Sequence, residues 1–364
     1  MNKKSILDKV KPAVRSISKY TLGRYDYEVK INQNENPYDV PADIKREILD
    51  CALERGWSRY PPFTPDELHE RLASYTGWKP EGILVGNGSN EIIQALLMVL
   101  VRPGGRLVIP APTFTVYKLI GTVLGADVRE VPLKEDYSFD CDALGRAFLD
   151  GGDMIIICSP NNPTGCLFPK ERLIDLLERS DAPVIVDEAY YEFSGVTAAD
   201  LLDSYENLVI LRTFSKAFSL AGLRIGYGLM NPGLAREVEK AKLPYNINFL
   251  TLAAAEKLLE NRERIAGKID LLIAERDRMI PELNSIEDVT AYPSHANFIL
   301  VETPFKPAAV FRKLLDEGFL VRDVSSYPML DRALRISVST PEDNDRLLKV
   351  LRRVMEELNK TGKK

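Results

Sequence analysis

Residues 208–224 read LVILRTFSKAFSLAGLR, and this stretch indicates both a buried strand and a binding site. Its first four residues are apolar and predict a strand inside a sheet. Two hydroxyl groups (Thr213 and Ser215), an amine (Lys216) and a guanidinium (Arg224) follow. Hydroxyl donors and a planar cation suit a phosphate dianion, which arginine can bind through two parallel hydrogen bonds. An amine near that cation loses its proton more easily and can then attack a carbonyl group.

A second stretch, residues 184–190 (VIVDEAY), places a carboxylate at the end of another apolar strand. Asp187 is the first polar residue past this strand, and Glu188 should point the other way because strand side chains alternate. Lysine, phosphate site and buried carboxylate together match pyridoxal phosphate, whose ring nitrogen must stay protonated. Tyr190 could then reach the phenolic oxygen of the ring. Burial beside the ring cation should lower the pKa of Asp187. A plain helix N-cap stays open as the alternative for Asp187.

Three further motifs follow predicted strands. Residues 159–165 (SPNNPTG) predict a rigid turn after the strand 154–158, and Asn162 can donate a hydrogen bond from it. Residues 86–90 (GNGSN) open an apolar helix, whose first backbone amides bind phosphate well. Phe114 is placed to stack on a flat ring. Because ligands bind outside the carboxyl ends of strands in open α/β sheets, the five motifs predict one shared site.

The order of the elements predicts two domains of different type. Between about residues 34 and 245, apolar strands alternate with helical patterns, which indicates βα units and a mainly parallel sheet. From residue 248, one long charge-rich helical stretch runs to about Leu283, and shorter strands and a terminal helix follow. We therefore expect a large α/β domain at 34–245 and a smaller α+β domain built from 246–364 with the N-terminal arm 1–33.

Composition argues against several classes of protein. With 364 residues the chain is too long for one ordinary core, and its composition is that of a soluble globular protein. A net charge of −5 argues against nucleic-acid binding, and no apolar run could span a membrane. Four cysteines without a C-x-x-C pair and two distant histidines argue against a metal site. Cys158 should be buried and reduced. No secretory signal is seen, so we expect a cytoplasmic protein.

On these residues, the chain resembles the fold-type I pyridoxal-phosphate aminotransferases of the class I/II superfamily and, within it, the histidinol-phosphate aminotransferases. The resemblance extends over nearly the whole chain, and its landmarks are Asn34-Glu35-Asn36-Pro37, Arg59-Tyr60-Pro61, Asn87-Gly88-Ser89, Asn161-Asn162-Pro163-Thr164-Gly165, Asp187-Glu188-Ala189-Tyr190, Ser215-Lys216, Arg224, Pro244-Tyr245-Asn246, Ala296-Asn297-Phe298 and Leu334-Arg335-Ile336. Two positions depart from the family pattern: Pro62 stands for an aspartate and Ser219 for a glycine. Neither is a direct cofactor ligand in the family, so only loop conformation is in doubt.

The resemblance implies a role for each matching residue. Lys216 would bond the cofactor and move the proton, and Asp187 would pair with the ring nitrogen. The other implied cofactor contacts are Asn162 and Tyr190 at the ring oxygen, Phe114 on the ring face, and Ser89, Asn90, Thr213, Ser215 and Arg224 at the phosphate. Tyr60 would reach the phosphate of the partner subunit's cofactor. The implied substrate contacts are Asn36, Arg335 at a carboxylate, and Tyr20 and Arg322 at a substrate phosphate.

The resemblance also implies a seven-stranded sheet, an arm that packs on the smaller domain or the partner, and a homodimer with its active site at the interface. The implied reaction takes small molecules: histidinol phosphate and 2-oxoglutarate give imidazole acetol phosphate and glutamate in histidine biosynthesis. An aromatic amino-acid aminotransferase and a threonine-phosphate-type decarboxylase stay open as alternatives. A dinucleotide-binding dehydrogenase fails because Glu91 stands where its third glycine belongs. A ligand sensor would not need Lys216, Asp187 and Tyr190 together.

Overall fold

The computed structural model describes residues 5–17 and 23–362. The strands of these residues are, in chain order, β1 Val29–Lys30, β2 Ile83–Gly86, β3 Arg106–Ala111, β4 Asp127–Pro132, β5 Met154–Cys158, β6 Val184–Asp187, β7 Leu208–Thr213, β8 Gly226–Leu229, β9 Thr290–Ala291, β10 Phe298–Glu302, β11 Phe319–Leu320, β12 Arg322–Asp323 and β13 Ala333–Ser337. The helices are α1 Pro12–Arg15, α2 Ala42–Glu54, α3 Asp66–Thr76, α4 Ser89–Leu100, α5 Val116–Leu124, α6 Cys141–Leu149, α7 Lys170–Arg179, α8 Tyr191–Ser194, α9 Pro232–Glu239, α10 Phe249–Glu260, α11 Arg262–Asn284, α12 Pro307–Asp316 and α13 Pro341–Gly362.

The larger sheet has seven strands in the spatial order β2-β8-β7-β6-β5-β3-β4. Strand β8 runs antiparallel to both of its neighbours, and the remaining pairs are parallel. The predicted mainly parallel, seven-stranded sheet is therefore confirmed. Because parallel strands end at the same edge of a sheet, the carboxyl ends of β5, β6 and β7 lie together: Cys158 is paired with Asp187, and Asp187 with Leu211, two residues before Thr213.

The sequences of the central strands explain why this sheet lies inside the molecule. All residues of β5, β6 and β7 are buried, as expected for parallel strands with helices on both faces. Successive side chains enter opposite layers: Ile155 and Ile157 join one hydrophobic cluster, whereas Met154, Ile156 and Cys158 join the other. Cys158 is buried with a free thiol, as the sequence predicted.

The smaller sheet has the order β12-β13-β10-β9 and is antiparallel throughout. Its register places Arg322 of β12 directly opposite Arg335 of β13. Two guanidinium-bearing residues in direct cross-strand positions repel each other unless an anion or a dipole lies nearby. The pairing therefore brings the two arginines predicted to bind substrate to neighbouring positions.

The helical stretch expected from residue 248 to about Leu283 is not one helix. It divides into α10 and α11 at Asn261, whose backbone leaves the helical conformation with φ −105° and ψ 19°. The Asn261 side chain donates to the carbonyl of Lys257 at 3.0 Å, and such local hydrogen bonds of asparagine compete with helix continuation. Helix α10 packs against α2 and α3, so this part of the chain contacts the segment before the larger sheet.

The N-terminal arm contacts two different parts of the molecule. Strand β1 pairs in parallel with β11, as expected for an arm that packs on the smaller domain. Helix α1, in contrast, lies against α5, and Lys11 Nζ donates to the carbonyl of Val123 at 3.4 Å. This second contact differs from the expectation, because α5 belongs to the layer that covers the larger sheet. The domain boundary at residues 245 and 246 stays a prediction.

Candidate active site

A cavity of about 350 Å³ lies where the carboxyl ends of β5, β6 and β7 approach the smaller sheet. The fold brings twelve of the predicted site residues into its lining: Ser89, Asn90, Phe114, Asn162, Asp187, Tyr190, Thr213, Ser215, Lys216, Arg224, Arg322 and Arg335. These residues come from loops after separate strands and from both sheets. The shared site that the strand-end motifs predicted is therefore a physical cavity.

Lys216 has the environment of a nucleophilic amine. Its Nζ donates a hydrogen bond to the carbonyl oxygen of Gln33 at 2.8 Å. Burial lowers the pKa of the amine to about 7, and the guanidinium of Arg335 is the next cause. The sequence indicated Arg224 as the cation responsible, but Arg224 contributes less than burial and Arg335. A large fraction of the amine is neutral at pH 7, which is the form that attacks a carbonyl.

The Asp187 carboxylate is buried and held by two donors. It accepts hydrogen bonds from the Tyr117 hydroxyl at 2.6 Å and from the Ala189 amide at 3.1 Å. Burial raises the pKa of Asp187 to about 6, although the Tyr117 hydrogen bond acts to lower it. Among the charged groups of the chain, the Glu188 carboxylate also raises the pKa of Asp187. The lowered pKa expected beside the ring cation stays a prediction.

Asp187 and Glu188 point in opposite directions, as the strand alternation predicted. Glu188 forms a buried ion pair with Arg212 at 2.9 Å and accepts from the Ala198 amide at 2.7 Å. The N-cap of α8 is Tyr190, so Asp187 is not the cap of that helix. The Asp187 side chain is thus left facing the cavity.

Tyr190 and Asn162 belong to one buried hydrogen-bond network. The Tyr190 oxygen accepts from Asn34 Nδ2 at 2.9 Å and from Asn162 Nδ2 at 3.3 Å. Asn162 Oδ1 accepts in turn from Arg335 Nη1 at 2.6 Å, and Arg335 Nη2 donates to the carbonyl of Asn32 at 2.7 Å. The network orients the side chains at the junction of the two sheets before any ligand binds.

A set of donors suited to a phosphate lies at the other end of the cavity. Ser215 Oγ accepts from Thr213 Oγ1 at 3.0 Å and from Arg224 Nη1 at 3.2 Å. Helix α4 begins beside them at Ser89, with Gly88 as its N-cap at φ 74°. A Cβ atom on Gly88 would lie 2.5 Å from Arg224 Nη2, so only glycine leaves room for the guanidinium. Helix N-terminus, hydroxyls and guanidinium form a cradle of the kind that binds a phosphate dianion.

Of the predicted residues that the structure describes, Tyr60 and Asn36 are not part of this lining. Tyr60 is 75% exposed and stacks on Tyr245 of the same chain, with ring centroids 4.4 Å apart. The Asn36 side chain donates to the carbonyl of Ala217 at 3.0 Å and accepts from the Tyr38 amide at 2.9 Å, so backbone groups occupy both ends of its amide. Tyr20 lies outside the described residues.

The sequence reasoning missed several residues that line the cavity, among them Asn34, Tyr117 and Tyr327. Tyr117 lies three positions after Phe114, in the first turn of α5, and this spacing could have indicated a second aromatic side chain toward the site. Asn34 belongs to a motif that was recognised, but its neighbour Asn36 was chosen from it. Nothing in the sequence around Tyr327 signals its position.

Metal-binding clusters and membrane-spanning helices are both absent from the part of the chain that the structure describes. Residues 5–17 and 23–362 contain no cluster of three or more His, Cys, Asp or Glu side chains arranged to bind a metal ion. Within the same ranges, no helix has the length and apolar character needed to cross a membrane.

Comparison with known proteins gives similarity over almost the whole chain. A family model described as aminotransferase class I and II matches residues 28–351. The histidinol-phosphate aminotransferase of Chlorobaculum tepidum is 40% identical over 346 residues, which cover 94% of this chain and 99% of that protein. The solved structure of histidinol-phosphate aminotransferase from Clostridium acetobutylicum is 27% identical with a TM-score of 0.85, covering 91% of this chain and 100% of that one. The corresponding structure from Sinorhizobium meliloti in complex with pyridoxal-5'-phosphate has a TM-score of 0.85 at 24% identity, covering 95% of this chain and 97% of that one, and shows the shared fold.

Proposed function

The chain belongs to the class I and II aminotransferases, a family of pyridoxal-phosphate enzymes, and we propose that it transfers the amino group of histidinol phosphate to 2-oxoglutarate. The products are imidazole acetol phosphate and glutamate, a step of histidine biosynthesis. The observation that supports this substrate best is the pair of cross-strand arginines, Arg322 and Arg335, in the cavity that contains Lys216. Because both substrates are free metabolites, we place the reaction in the cytoplasm.

The residues of the cavity fit pyridoxal phosphate. We assign the phosphate to the cradle of Thr213, Ser215, Arg224 and the amides at the start of α4, which Gly88 keeps open. The face of Phe114 is assigned to the ring. Because Asp187 is buried beside Tyr117, a pyridinium nitrogen would restore the charged form that burial disfavours. The hydrogen-bond donors of the cradle thus match the phosphate of the cofactor, and the Asp187 carboxylate matches its ring nitrogen.

Lys216 is assigned as the group that moves the proton. When bound, the cofactor supplies an aldehyde that takes up the amino group and a protonated ring that withdraws electrons from the substrate carbon. With a pKa of about 7, Lys216 Nζ is suited to accept the α-proton of the substrate as a base and to return it as an acid. Asp187 holds the proton on the ring nitrogen, and Tyr190 and Asn162 orient the ring oxygen.

The two arginines are assigned to different anions. Arg335 is buried and oriented by Asn162 and Asn32, so its position suits a carboxylate close to the reacting carbon, as in glutamate. Arg322 is less buried and is assigned, with Tyr20, to the phosphate of histidinol phosphate. Because the two substrates bind in turn, no single substrate has to provide an anionic group for each of the two arginines. Asn36 is retained as a substrate contact of this proposal.

We propose further that the enzyme is a homodimer whose active sites lie at the interface. Trp57, Tyr60, Phe63, Leu243 and Tyr245 are large apolar side chains that are exposed on one chain, and the Phe63 and Tyr60 rings both contact Tyr245. Monomeric proteins rarely expose a contiguous group of aromatic rings such as Tyr60, Phe63 and Tyr245, which is typical of an interaction surface. In the dimer, Tyr60 would reach the cofactor phosphate bound by the partner.

Single-turnover kinetics with separate amino donors tests the substrate assignment. Removing a charge-assisted contact weakens binding by about ten- to a hundredfold. Arg322→Ala should weaken the half-reaction with histidinol phosphate by this factor and spare the half-reaction with glutamate, whereas Arg335→Ala should mainly impair glutamate. Equal losses for both donors in Arg322→Ala, with good turnover of phenylalanine or tyrosine, would indicate an aromatic aminotransferase instead. Release of carbon dioxide from threonine phosphate would indicate a decarboxylase.

A further inference from the structure

The Tyr190 hydroxyl has an arrangement of donors that determines where its own hydrogen points. Both contacts of its oxygen are with side-chain amides, Asn34 Nδ2 at 2.9 Å and Asn162 Nδ2 at 3.3 Å. A phenol oxygen has two lone pairs and one hydrogen to donate. When two N–H groups occupy the lone pairs, the hydrogen is directed to a third position. Tyr190 lines the cavity, which provides that position.

The orientation of the Asn162 amide follows from its other partner. Arg335 Nη1 lies 2.6 Å from Asn162 Oδ1, and a guanidinium can only donate. The oxygen of the amide must therefore face Arg335, and the NH₂ group must face Tyr190. The assignment of oxygen and nitrogen rests on this donor logic rather than on the shape of the amide.

The Asn34 amide is oriented by Ser337, whose hydroxyl, unlike a guanidinium, can both donate and accept. The backbone N–H of Asn34 donates to Ser337 Oγ at 2.9 Å, so this hydroxyl is already an acceptor. The Ser337 hydrogen is then donated to Asn34 Oδ1 at 3.0 Å. Because Oδ1 faces Ser337, Nδ2 of Asn34 faces Tyr190. Strand β13 thus fixes an amide that directly follows the N-terminal arm.

We infer that Asn34 is a positioning residue that acts through Tyr190, turning the Tyr190 hydroxyl hydrogen into the cavity as a donor to the anionic oxygen of the cofactor ring. This inference rests on the assignment of Tyr190 to that oxygen proposed above. Burial raises the pKa of Tyr190, so the phenol keeps the hydrogen that it donates. Without Asn34, one lone pair would be vacant, and the hydroxyl could rotate away from the ring.

The backbone of Asn34 explains why this residue type stands there. Its φ of 55° lies in the left-handed region, which asparagine, aspartate and glycine tolerate better than other residues. The carbonyl of Asn34 accepts from Asn297 Nδ2 at 3.0 Å, and those of Asn32 and Gln33 accept from Arg335 and Lys216. Asparagine is the one member of this group that combines the conformation with a neutral N–H donor.

Three variants separate the amide donor from the backbone. Asn34→Gly removes the amide and keeps the left-handed conformation without strain. Asn34→Asp keeps the size but replaces the donor with a carboxylate oxygen, which would draw the Tyr190 hydrogen out of the cavity. Asn297→Ala is the matched control, because it removes a contact to the same backbone and leaves the Asn34 amide in place.

The readout is the absorbance of the cofactor-loaded enzyme as a function of pH, with Tyr190→Phe as the reference. We expect Asn34→Gly to move the midpoint of the absorbance change with pH in the same direction as Tyr190→Phe does, by about half to one pH unit. Asn34→Asp should move it in that direction too, Asn297→Ala should leave it in place, and the double variant Asn34→Gly/Tyr190→Phe should match Tyr190→Phe alone.

Each outcome supports or overturns one statement. If Tyr190→Phe shifts the midpoint but Asn34→Gly and Asn34→Asp do not, the role of Asn34 is refuted and the Tyr190 assignment stands. If the midpoint shift of the double variant equals the sum of the two single-variant shifts, action through Tyr190 is also refuted. The same conclusion follows if Asn297→Ala shifts the midpoint as much as Asn34→Gly does. If Tyr190→Phe itself causes no shift, the assignment of Tyr190 to the ring oxygen fails. Should Asn34→Gly not fold, Ser337→Ala, which releases the orientation of the same amide, gives the same comparison.

Discussion

At the scale of single residues, burial moves the pKa values of the two central ionisable groups toward each other. The pKa of Lys216 is lowered to about 7, and that of Asp187 is raised to about 6. Both shifts disfavour the charged form, which is the effect of removing water from a polar group. The cofactor assigned to this cavity provides a cationic nitrogen for Asp187 and an aldehyde for the neutral amine of Lys216. Each group therefore gains a partner that the chain itself does not supply.

The lowered pKa of Lys216 predicts how the cofactor binds at different pH values. Only the neutral amine attacks an aldehyde, and its fraction rises until the pH passes the pKa. In the cofactor-free protein, we expect the rate of covalent attachment of pyridoxal phosphate to increase up to a pH of about 7 and then to level off. Stopped-flow absorbance measures this rate, with Lys216→Ala as a control that should show no attachment. A rate that keeps rising tenfold per pH unit above pH 9 would contradict the lowered pKa.

The assignment of Asp187 predicts a selective loss of chemistry. Asp187→Asn should retain the cofactor, because the phosphate cradle is intact. The rate of transamination should fall about ten- to a hundredfold or more, which is the factor that corresponds to the loss of one charge-assisted hydrogen bond. Cofactor affinity by fluorescence and half-reaction rates with glutamate separate the two effects. Turnover equal to that of the parent enzyme would mean that Asp187 only closes its local turn with Ala189.

At the scale of elements, the loop between β2 and α4 and the segment after β7 form the phosphate cradle together. Gly88 has a positive φ and no room for a Cβ atom beside Arg224. We expect Gly88→Ala to displace the guanidinium and to weaken cofactor binding by about ten- to a hundredfold. Equilibrium binding of pyridoxal phosphate to the cofactor-free protein measures this change.

Gly104 offers the matched control for this substitution. It also has a positive φ, of 78°, but no atom lies within 4 Å of the position of its Cβ. Gly104→Ala therefore also places a side chain at a positive φ without touching Arg224, and cofactor affinity should be unchanged. Equal losses of affinity in the two variants would show that strain alone, and not the room for Arg224, explains the effect of Gly88→Ala.

The buried pair of Glu188 and Arg212 connects β6 to β7 behind the site. Arg212 directly precedes Thr213, and Glu188 directly follows Asp187, so the pair fixes a cradle residue relative to the carboxylate. The guanidinium also lies 3.8 Å from the ring centroid of Tyr191. Separating the two charges would leave each of them buried without its partner, which strongly destabilises the fold. The ion pair therefore holds the distance between Thr213 of the cradle and the Asp187 carboxylate fixed.

At the scale of the whole molecule, the proposed dimer predicts that two inactive variants restore each other. A Lys216→Ala chain and a Tyr60→Ala chain should each form homodimers of low activity. In an equal mixture with random exchange, half of the dimers are hybrids with one intact site of two, so about a quarter of the parent activity should return. Activity after mixing measures the recovery.

Subunit exchange has to be shown independently, for instance by co-purification of differently tagged chains. The control is a mixture of Lys216→Ala with Asp187→Asn. Both substitutions lie in the cavity of a single chain, so their hybrids contain no intact site. Exchange without recovery in the first mixture would refute sharing of the sites.

The sequence was informative where function depends on residues that are close along the chain. Within its seventeen positions, the run 208–224 contains a strand followed by Thr213, Ser215, Lys216 and Arg224, and these four side chains all line the cavity. The strands β5, β6 and β7 were recognised because burial on both faces makes their first three or four residues entirely apolar, with Asp187 and the pair Arg212-Thr213 only at the carboxyl ends of β6 and β7. The break at Asn261 was missed because the apolar pattern continues across it.

The sequence by itself determined the class of fold and the cofactor, and it predicted strand ends, a lysine and a carboxylate that lie in one cavity, since local order and side-chain chemistry encode these features. Only the tertiary structure decided which groups meet across the chain. Tyr117 meets Asp187 and Asn34 meets Tyr190 over separations of 70 and 156 residues. Arg322 faces Arg335 because β12 pairs with β13 in one register. The pKa values of Lys216 and Asp187 belong to the same class of property, because desolvation depends on all the atoms that surround a group and not on its neighbours in sequence.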